Sequence, residues 1–347
     1  MSIDFRSDTV SKPTKQMRKA IFHAAVGDDV YGEDPTINQL ERLAAEHLGK
    51  DAGLFVTSGT QGNLVAVLSH TRPGAEVILA EDAHLFYSET GSLASIAGVQ
   101  TRTLKSTNGQ MDIIDITKAI RTREDMHQPQ TELICLENTH ARSGGRILPL
   151  NYMKDVYNIS RNVNVPIHLD GSRIFNASIG LGVSAKELAQ YADTVQICLS
   201  KGLGAPMGSV LVGSKETITK ARKWRKSLGG GTRQAGIVGA AGIIALEEMI
   251  DRLAIDHKNA KVLAENIKNI TGLEISTAKI ESNIVLLSVE KLEVGANEFT
   301  RLLKERGVLA SVYDTFTIRF VTHHEISEDD VKQTIETIID IVNQVNN

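Results

Sequence analysis

Short apolar runs alternate with helix-like stretches over the first two thirds of the chain. The runs are rich in Val, Ile and Leu and too short for helices, which is typical of strands buried on both faces. They cover residues 54–56, 77–79, 99–104, 133–136, 165–169 and 195–199. Because strands that alternate with helices form parallel sheets covered on both faces, the pattern predicts an α/β fold with a mostly parallel sheet flanked by helices.

One helix is marked at both ends by residues with preferred positions. Asp34 can cap the first turn, Pro35 fits that turn, and Gly49 follows the last apolar residue of the periodic stretch. Proline early and glycine just past the end are the usual signals of a complete helix. We therefore expect a helix between Asp34 and Gly49.

The pattern changes near Gly242, where strand-like runs give way to a longer helical periodicity. The elements predicted beyond it are a long helix extending toward residue 267, a strand at 283–289, a helix at 298–305, a strand pair at 308–312 and 316–321, and a final helix opening at Ser327. We expect a large α/β domain over residues 1–245 and a smaller C-terminal α+β domain over residues 246–347. The N-terminal arm, about residues 1–14, can pack on either domain.

Composition narrows the class of protein. The 347 residues are 41% hydrophobic and 23% charged, and 38 basic against 42 acidic side chains give a formal charge of −4. This balance offers no broad basic surface for nucleic acid or an anionic membrane. The charged start and the lack of a long apolar run argue against a secretory signal or a membrane span, so we expect a soluble, cytoplasmic protein. Cys135 and Cys198 lie in predicted strands and are interpreted as core residues.

Polar residues follow several of the predicted strands. Ser58, Gly59 and Thr60 come after the run at 54–56 and open a helix, where free backbone N–H groups favour an anion. Asp170 follows the run at 165–169, and Lys201 follows the run at 195–199. Taken singly, each position also has a structural interpretation. The segment at Ser58 can be a helix cap, Asp170 can be a second helix cap, and Lys201 can reach solvent at a domain rim.

Together the three positions match the needs of pyridoxal phosphate. In open α/β sheets, ligands lie outside the carboxyl ends of the strands, so the three groups are expected at one edge. A desolvated lysine has the lowered pKa that condensation with an aldehyde requires. An aspartate facing the pyridine nitrogen keeps it protonated, so that the ring accepts electrons. We therefore interpret Lys201 as a Schiff-base lysine and Asp170 as the partner of the ring nitrogen.

Three other motifs are weaker. Gly180-Leu181-Gly182 resembles part of a dinucleotide fingerprint but lacks the surrounding strand and helix. His323 and His324 have no further ligands nearby, and no metal site is predicted. The run at 229–233 is either a flexible turn or a close approach of backbone to a phosphate, with Arg233 supplying charge.

Seven ordered segments resemble the threonine aldolases, which are pyridoxal phosphate enzymes of the aspartate-aminotransferase-like fold (fold type I). They run from Asp4 to Gly236 and leave the C-terminal region as the small domain. The segments are DFRSDTVSKPT, VGDDVYGEDPT, TSGTQGN, LENTH, HLDGSRIFNA, CLSKGLGAPMGS and RKSLGGGTRQAG.

The resemblance implies a role for each matching position. Lys201 and Asp170 would hold the cofactor as described, and His84 would stack on the pyridine ring. The further residues implied at the cofactor are Ser58, Gly59, Thr60, Arg173, Ser200, Lys226 and Arg233. Those implied at the substrate carboxylate and hydroxyl are Ser7, Arg173, Arg319 and His140.

The implied reaction is the cleavage of L-threonine or L-allo-threonine to glycine and acetaldehyde. A base must remove the β-hydroxyl proton, and His84, His140 or a water held by one of them can serve, since imidazole titrates near neutral pH. The resemblance also implies active sites at a dimer interface, with Arg233 and Lys226 reaching the neighbouring subunit, in an assembly that is usually a tetramer.

Three positions depart from the family pattern, namely Ser172, Ala141 and Thr232, and the first two bear on selectivity at Cβ.

The nearest alternative function is that of another fold-type-I enzyme with the same cofactor, a β-eliminating lyase or an aminotransferase acting on a small amino acid. A different class, a cofactor-free binding protein that keeps the fold, would lack the visible absorbance of a bound pyridoxal.

Overall fold

A computed structural model describes residues 2–122 and 125–346. Its strands are β1 Ile3–Asp4, β2 Ala52–Val56, β3 Glu76–Ala80, β4 Gln100–Leu104, β5 Ser106–Thr107, β6 Gln110–Met111, β7 Thr131–Glu137, β8 Ile167–Asp170, β9 Thr194–Cys198, β10 Ser209–Gly213, β11 Glu274–Ile275, β12 Ile284–Ser288, β13 Val308–Leu309, β14 Ser311–Val312 and β15 Thr317–Val321.

Helices connect and cover these strands. The α-helices are α1 Lys15–Phe22, α2 Pro35–Leu48, α3 Gly59–His70, α4 His84–Tyr87, α5 Ser92–Ser95, α6 Ile113–Ala119, α7 Leu150–Val163, α8 Ile174–Leu181, α9 Ala185–Ala189, α10 Lys215–Ser227, α11 Gly236–Glu248, α12 Leu253–Ile267, α13 Ala296–Glu305 and α14 Glu328–Val345. Single 3₁₀ turns cover Asp8–Val10, Asp29–Tyr31 and Glu290–Leu292.

A seven-stranded sheet forms the centre of the larger part of the chain. Its strand order is β2-β10-β9-β8-β7-β3-β4, and β10 runs opposite to the other six strands. The predicted mostly parallel α/β fold is therefore confirmed. The six predicted strands all form. Five of them are nearly completely buried, which explains their continuous apolar runs, whereas β4, at the edge of the sheet, is only partly buried.

Helix α2 begins and ends where the sequence predicts. The Asp34 carboxylate accepts a hydrogen bond from the backbone N–H of Ile37, and Pro35 occupies the first turn. Gly49 ends the helix in the left-handed conformation (φ 61°), which a residue with a side chain adopts only at a cost.

The long helix expected toward residue 267 is wrong, because the chain forms two helices, α11 and α12, with a turn at residues 249–252. The break follows from packing. Ala241 and Ala245 of α11 are buried in the core of the seven-stranded sheet, whereas Leu263 and Ile267 of α12 are buried in a second core. One straight helix cannot present its apolar face to both cores.

The second core lies around a four-stranded sheet of order β11-β12-β15-β14. The strand pair predicted after residue 308 is correct only in part, since β14 pairs with β15 but β13 pairs in parallel with β1. Ile3 and Phe5 are buried in this second core, so the N-terminal arm packs there. The last helix, α14, begins with the reciprocal capping box of Ser327 and Asp330.

The two cores are consistent with our division of the chain into residues 1–245 and 246–347, which remains a proposal. In the described ranges, no helix is both long enough and apolar enough to cross a bilayer. Cys135 and Cys198 are both buried and unpaired with each other, in strands β7 and β9.

Candidate active site

Three parallel strands end side by side, and their last residues or the loops after them carry ionisable groups. Strand β7 ends at Glu137, β8 ends at Asp170, and Lys201 lies three positions after the end of β9. The three strands are neighbours in the sheet, so these residues belong to one edge. This edge is where open α/β sheets bind their ligands.

The start of α3 forms a compact anion cradle at the same edge. Ser58 caps the helix, its hydroxyl oxygen accepting a hydrogen bond from the backbone N–H of Gln61 at 3.1 Å. The first N–H groups of any helix have no partner within the helix and favour an anion. A Cβ at Gly59 would lie 2.8 Å from the sulfur of Cys198, so no other residue fits there without movement. Thr60 occupies the same first turn.

Asp170 is almost fully buried and accepts hydrogen bonds on both oxygens. Oδ1 accepts from the hydroxyl of Ser172 at 2.6 Å and from its backbone N–H at 3.0 Å. Oδ2 accepts from the side-chain amide of Asn63 at 3.0 Å. Burial alone would raise the pKa of Asp170, but the positive charge of Lys201, then His84 and the bonds from Ser172, hold it below its usual value. The carboxylate is therefore ionised in this environment.

The carboxylate of Glu89 holds the ring of His84. Nδ1 of His84 lies 2.8 Å from Oε1 of Glu89, and the backbone N–H of His84 donates to Glu137 at 2.7 Å. Because a carboxylate only accepts, we assign the Nδ1 proton to His84, which leaves Nε2 for other contacts. The bond from Glu89 raises the pKa of His84, against burial, which lowers it. His84, Glu89 and Asp170 have polar atoms within 4.8 Å of one another.

The second candidate base, His140, is held differently. Its side chain is buried, and Nδ1 accepts a hydrogen bond from the backbone N–H of Ser143 at 3.3 Å. The proton is therefore assigned to Nε2, which faces carboxylate oxygens of Asp82 and Glu137 at 3.6 and 3.8 Å. Neither ring nitrogen is a free acceptor in this arrangement, whereas the His84 side chain remains 36% exposed.

Arg173 is paired with an acidic residue of the N-terminal arm. Its Nε and Nη2 donate to Oδ2 and Oδ1 of Asp8 at 2.8 and 2.7 Å, and both side chains are buried. Burial would raise the pKa of Asp8, but Arg173, and next Lys201 and Asn283, hold it far below its usual value. Asp8 occupies one side of the guanidinium fork, and Nη1 at its end forms no described hydrogen bond with protein.

Arg319 is a second cation, and it lies close enough to Arg173 for the two positive charges to repel each other. Burial, followed by the positive charge of Arg173, lowers the pKa of Arg319. Its Nη2 donates to the backbone carbonyl of Arg6, but its buried Nε has no hydrogen-bond partner among the described residues. Ser7 caps the 3₁₀ turn that contains Asp8, which places it beside the same pair. Two neighbouring arginines with unused donors are suited to an anion.

Of the remaining predicted residues, Ser200 belongs to this edge by its position in the chain, whereas Arg233 and Lys226 have no described contact with Lys201, Asp170 or His84. Ser200 immediately precedes Lys201 after β9. Arg233 donates to the carboxylate of Asp28 at 2.9 Å, and both belong to loops at the chain surface. Lys226, near the end of α10, packs over Gly231, where a Cβ would lie 2.5 Å from its side chain.

Sequence reasoning missed several residues of the site. Asn63 and Glu89 contact Asp170 and His84, and Asp8 pairs with Arg173. A further residue, Arg142, stacks its guanidinium 3.8 Å from the ring centre of Tyr87. Asp8 and Asn63 lie within matched segments, SDTV and TQGN, and this was the one available signal. Glu89 ends the stretch EDAHLFYSE around His84 but was given no role, and Arg142 carried no signal.

The weaker motifs have structural roles. Gly182 ends helix α8 in the left-handed conformation and does not open a phosphate loop. His323 is buried, with Nε2 bonded to the backbone carbonyl of Asp4 at 2.8 Å. Gly230 lies against Gln61 and Arg225, so the glycine run at 229–231 allows close packing beside α3.

The fold and this edge of the sheet define a class of lyase: the family model of the beta-eliminating lyases matches residues 4–290. Within it, the chain belongs to the family of low-specificity L-threonine aldolases. A probable low-specificity L-threonine aldolase 2 of Arabidopsis thaliana is 49% identical over 338 residues, covering 96% of this chain and 95% of the relative. The low specificity L-threonine aldolase of Escherichia coli K12 is 41% identical, covering 95% and 96%.

Two further comparisons concern the fold and the activities named for relatives. A threonine aldolase structure from Leishmania major superimposes with a TM-score of 0.84 at 20% identity, covering 98% of this chain and 99% of that one. At this identity the likeness supports the fold alone. An alanine racemase, TOXG of Cochliobolus carbonum, is 31% identical over 350 residues, covering 98% of this chain and 87% of the relative.

Proposed function

We propose that this chain cleaves L-threonine and L-allo-threonine to glycine and acetaldehyde, with pyridoxal 5′-phosphate as its cofactor. The observation that carries the proposal is the shared edge that holds Lys201, Asp170 and His84, next to the arginine pair Arg173 and Arg319. The family names of the close relatives support the same reaction.

The residues present fit the cofactor. The cradle at Ser58, Gly59 and Thr60 offers backbone N–H and hydroxyl donors to a phosphate, with no room for a Cβ at Gly59. Asp170 is a buried, ionised acceptor of the kind that a protonated pyridine nitrogen requires. Lys201 would hold the aldehyde carbon through its amine. When bound, the cofactor supplies an electron sink for the charge left on Cα as the carbon–carbon bond breaks.

The arginine pair binds the substrate carboxylate in this proposal. Asp8 fixes the plane of the Arg173 guanidinium, so that its free end is presented at one orientation. Arg319 adds an unused Nε donor, and Ser7 a hydroxyl. A carboxylate clamped in this way keeps the rest of the amino acid at one angle, which favours cleavage of a single bond at Cα.

His84 is the proposed base for the β-hydroxyl proton. Glu89 holds the proton on Nδ1, so Nε2 is the nitrogen that accepts. The neutral ring takes the hydroxyl proton as the Cα–Cβ bond breaks and acetaldehyde leaves. A proton is then returned to Cα to give glycine. We assign His140 to the support of the neighbouring loop, because its Nδ1 is already an acceptor.

We also propose that the active unit is a homo-oligomer, at least a dimer, with a tetramer as the expected form. Two large apolar side chains are exposed within six residues of Asp28, which pairs with Arg233: Phe22 is 83% exposed and Tyr31 is 73% exposed. Exposed apolar surface is a feature of interfaces between protein subunits. Arg233 and Lys226 would then serve the site of the neighbouring subunit.

The alternative function is another reaction of the same cofactor, such as β-elimination, transamination or racemisation. The 31% identity with an alanine racemase motivates it. The test is to incubate purified protein with L-threonine, L-allo-threonine, L-serine and L-alanine and to identify the products. Glycine with acetaldehyde supports the aldolase, whereas a keto acid with ammonia, or D-alanine, overturns it.

Lys201→Ala is the variant that tests the chemistry. We expect it to lose the visible absorbance of the bound cofactor and the release of acetaldehyde, because the amine proposed to bond to the aldehyde is gone. Lys215→Ala, at an exposed position at the start of α10, is the matched control and keeps both properties. Normal turnover by Lys201→Ala would contradict the assignment.

A further inference from the structure

A row of buried polar side chains leads away from Asp170 through the sheet. The Nδ2 group of Asn63 lies 3.0 Å from Oδ2 of Asp170, and its Oδ1 lies 3.0 Å from Nε2 of His168. Nδ1 of His168 lies 3.0 Å from the hydroxyl of Thr194, which lies 3.0 Å from Nε2 of His70. The row thus runs from a partly buried histidine at the end of α3 to the strand-end aspartate.

The direction of each hydrogen bond in this row is fixed, beginning at the carboxylates. The Nδ2 group of Asn63 lies 3.0 Å from Asp170 and 2.8 Å from Glu89. Carboxylates only accept, so this group is the amide nitrogen and spends both of its hydrogens on them. The amide oxygen of Asn63 therefore faces His168, and it can only accept.

His168 must then carry its proton on Nε2 to donate to Asn63. Burial lowers the pKa of His168 far below its usual value, so the ring is neutral and Nδ1 is an acceptor. Thr194 has one hydroxyl hydrogen, and donating it to Nδ1 satisfies the ring. The hydroxyl oxygen of Thr194 is left to accept from Nε2–H of His70, whose pKa burial lowers to about 4.

All the bonds consequently point one way, toward the carboxylates. We propose that Asn63, His168 and Thr194 are positioning residues that hold the carboxylate of Asp170 as a fixed, ionised acceptor for the ring nitrogen of the cofactor. This inference rests on the cofactor named in the proposed function. Ser172 supports the other oxygen of Asp170, so the row restrains the oxygen that Ser172 leaves free.

Breaking the row has a defined consequence at the far end. Without the hydroxyl of Thr194, Nδ1 of His168 is a buried acceptor with no donor, and Nε2–H of His70 loses the oxygen that accepts it. The His168 ring is then held at one nitrogen only, so its Nε2–H fixes the amide of Asn63 less firmly. The amide in turn holds Oδ2 of Asp170 less well, which weakens the acceptor for the ring nitrogen.

The experiment compares two variants at one position. Thr194→Val keeps the shape of the side chain in β9 and removes the hydroxyl, whereas Thr194→Ser keeps the hydroxyl. The first readout is the dissociation constant of pyridoxal phosphate, measured by titrating it into apoprotein without substrate. We expect Thr194→Val to raise it about fivefold, the size of one lost hydrogen bond between uncharged groups, and Thr194→Ser to leave it within about twofold. The second readout is the melting temperature of each apoprotein.

His70 gives a second pair of variants, remote from the sheet edge. His70→Gln keeps an N–H donor for Thr194 and His70→Leu removes it, so only the second is expected to weaken cofactor binding, by about threefold. Two results overturn the inference: equal cofactor affinity for Thr194→Val and Thr194→Ser, or a loss of affinity fully matched by a fall in apoprotein melting temperature. A protein that binds the cofactor in this pattern but does not release acetaldehyde would refute the proposed function and leave the inference standing.

Discussion

Asp8 accepts two hydrogen bonds from Arg173, at 2.7 and 2.8 Å, although 165 positions separate the two residues. The bond joins the N-terminal arm, which is packed in the second core, to the loop after β8 in the seven-stranded sheet. A carboxylate of the protein thus holds an arginine that is proposed to bind a carboxylate of the substrate. Both groups are nearly fully buried, so water does not stabilise the charge of either one.

Asp8→Asn is expected to lower the free energy of unfolding by about 3 kcal/mol at neutral pH, because the Arg173 guanidinium loses its buried counterion. The pKa of Asp8 is lowered in the folded state from 3.8, so its contribution is complete above that value and is lost as the pH falls toward the folded pKa. Denaturant unfolding at pH 7 and at about pH 2 measures both effects. If the variant and the parent differ equally at the two pH values, the pair is not electrostatic in origin.

Arg173→Lys is expected to raise the KM for L-threonine about tenfold or more with a smaller change in kcat, because an ammonium cannot bond Asp8 and a carboxylate in one plane. Arg161→Lys is the matched control. Arg161 also makes a two-pronged bond to an aspartate, Asp193, but on another helix, α7. An unchanged KM in Arg173→Lys, or an equal rise in the control, would contradict the carboxylate role.

Glu89→Gln is expected to move the acid limb of the rate–pH profile to lower pH. Glu89 raises the pKa of His84 above 6.5, and the protonated ring cannot accept the β-hydroxyl proton. Loss of activity on the acid side should therefore begin at a higher pH in the parent than in the variant. The neutral amide of the substituted side chain still accepts from Nδ1 but no longer stabilises the imidazolium, so His84 stays neutral to lower pH. The profile of kcat/KM measures the shift.

Two controls make the Glu89→Gln result specific to His84. Glu132→Gln removes an acidic residue that pairs with Arg72 near the start of β7, and its profile should match the parent. His84→Asn should abolish the acid limb itself. If Glu89→Gln leaves the limb in place, the group that titrates is not His84, and the assignment of His84 as the base is refuted.

The sequence predicted the architecture because the apolar runs are themselves the buried strands. Residues such as Leu54, Ile78 and Ile134 are fully buried between two layers of helices, so their hydrophobicity alone marks the sheet. The break between α11 and α12 was not predictable in the same way. Leu246 and Leu253 continue one helical periodicity, but α12 turns away after the break so that its later apolar residues enter the second core.

The sequence predicted the site residues whose chemistry the cofactor requires. It missed the residues that hold those side chains in place. Lys201 and Asp170 each follow a strand, and the sheet topology brings the ends of those strands together. Glu89, in contrast, follows α4 on a surface-like run of polar residues. Its burial and its bond to His84 depend on how the chain returns across the sheet edge, which no local pattern records.

Gly59→Ala is expected to weaken binding of pyridoxal phosphate about tenfold, because it displaces the N-terminus of α3. The added Cβ would lie 2.8 Å from the sulfur of Cys198 and 3.3 Å from Nε2 of Gln196, so the first turn must move away from β9. Such overpacking typically costs about 1–3 kcal/mol. Cys198→Ala removes the nearest atom, so the double variant Gly59→Ala with Cys198→Ala should regain most of the lost affinity. Titration of cofactor into the three apoproteins measures the coupling between the positions, and strictly additive effects would show that the contact does not set the cradle.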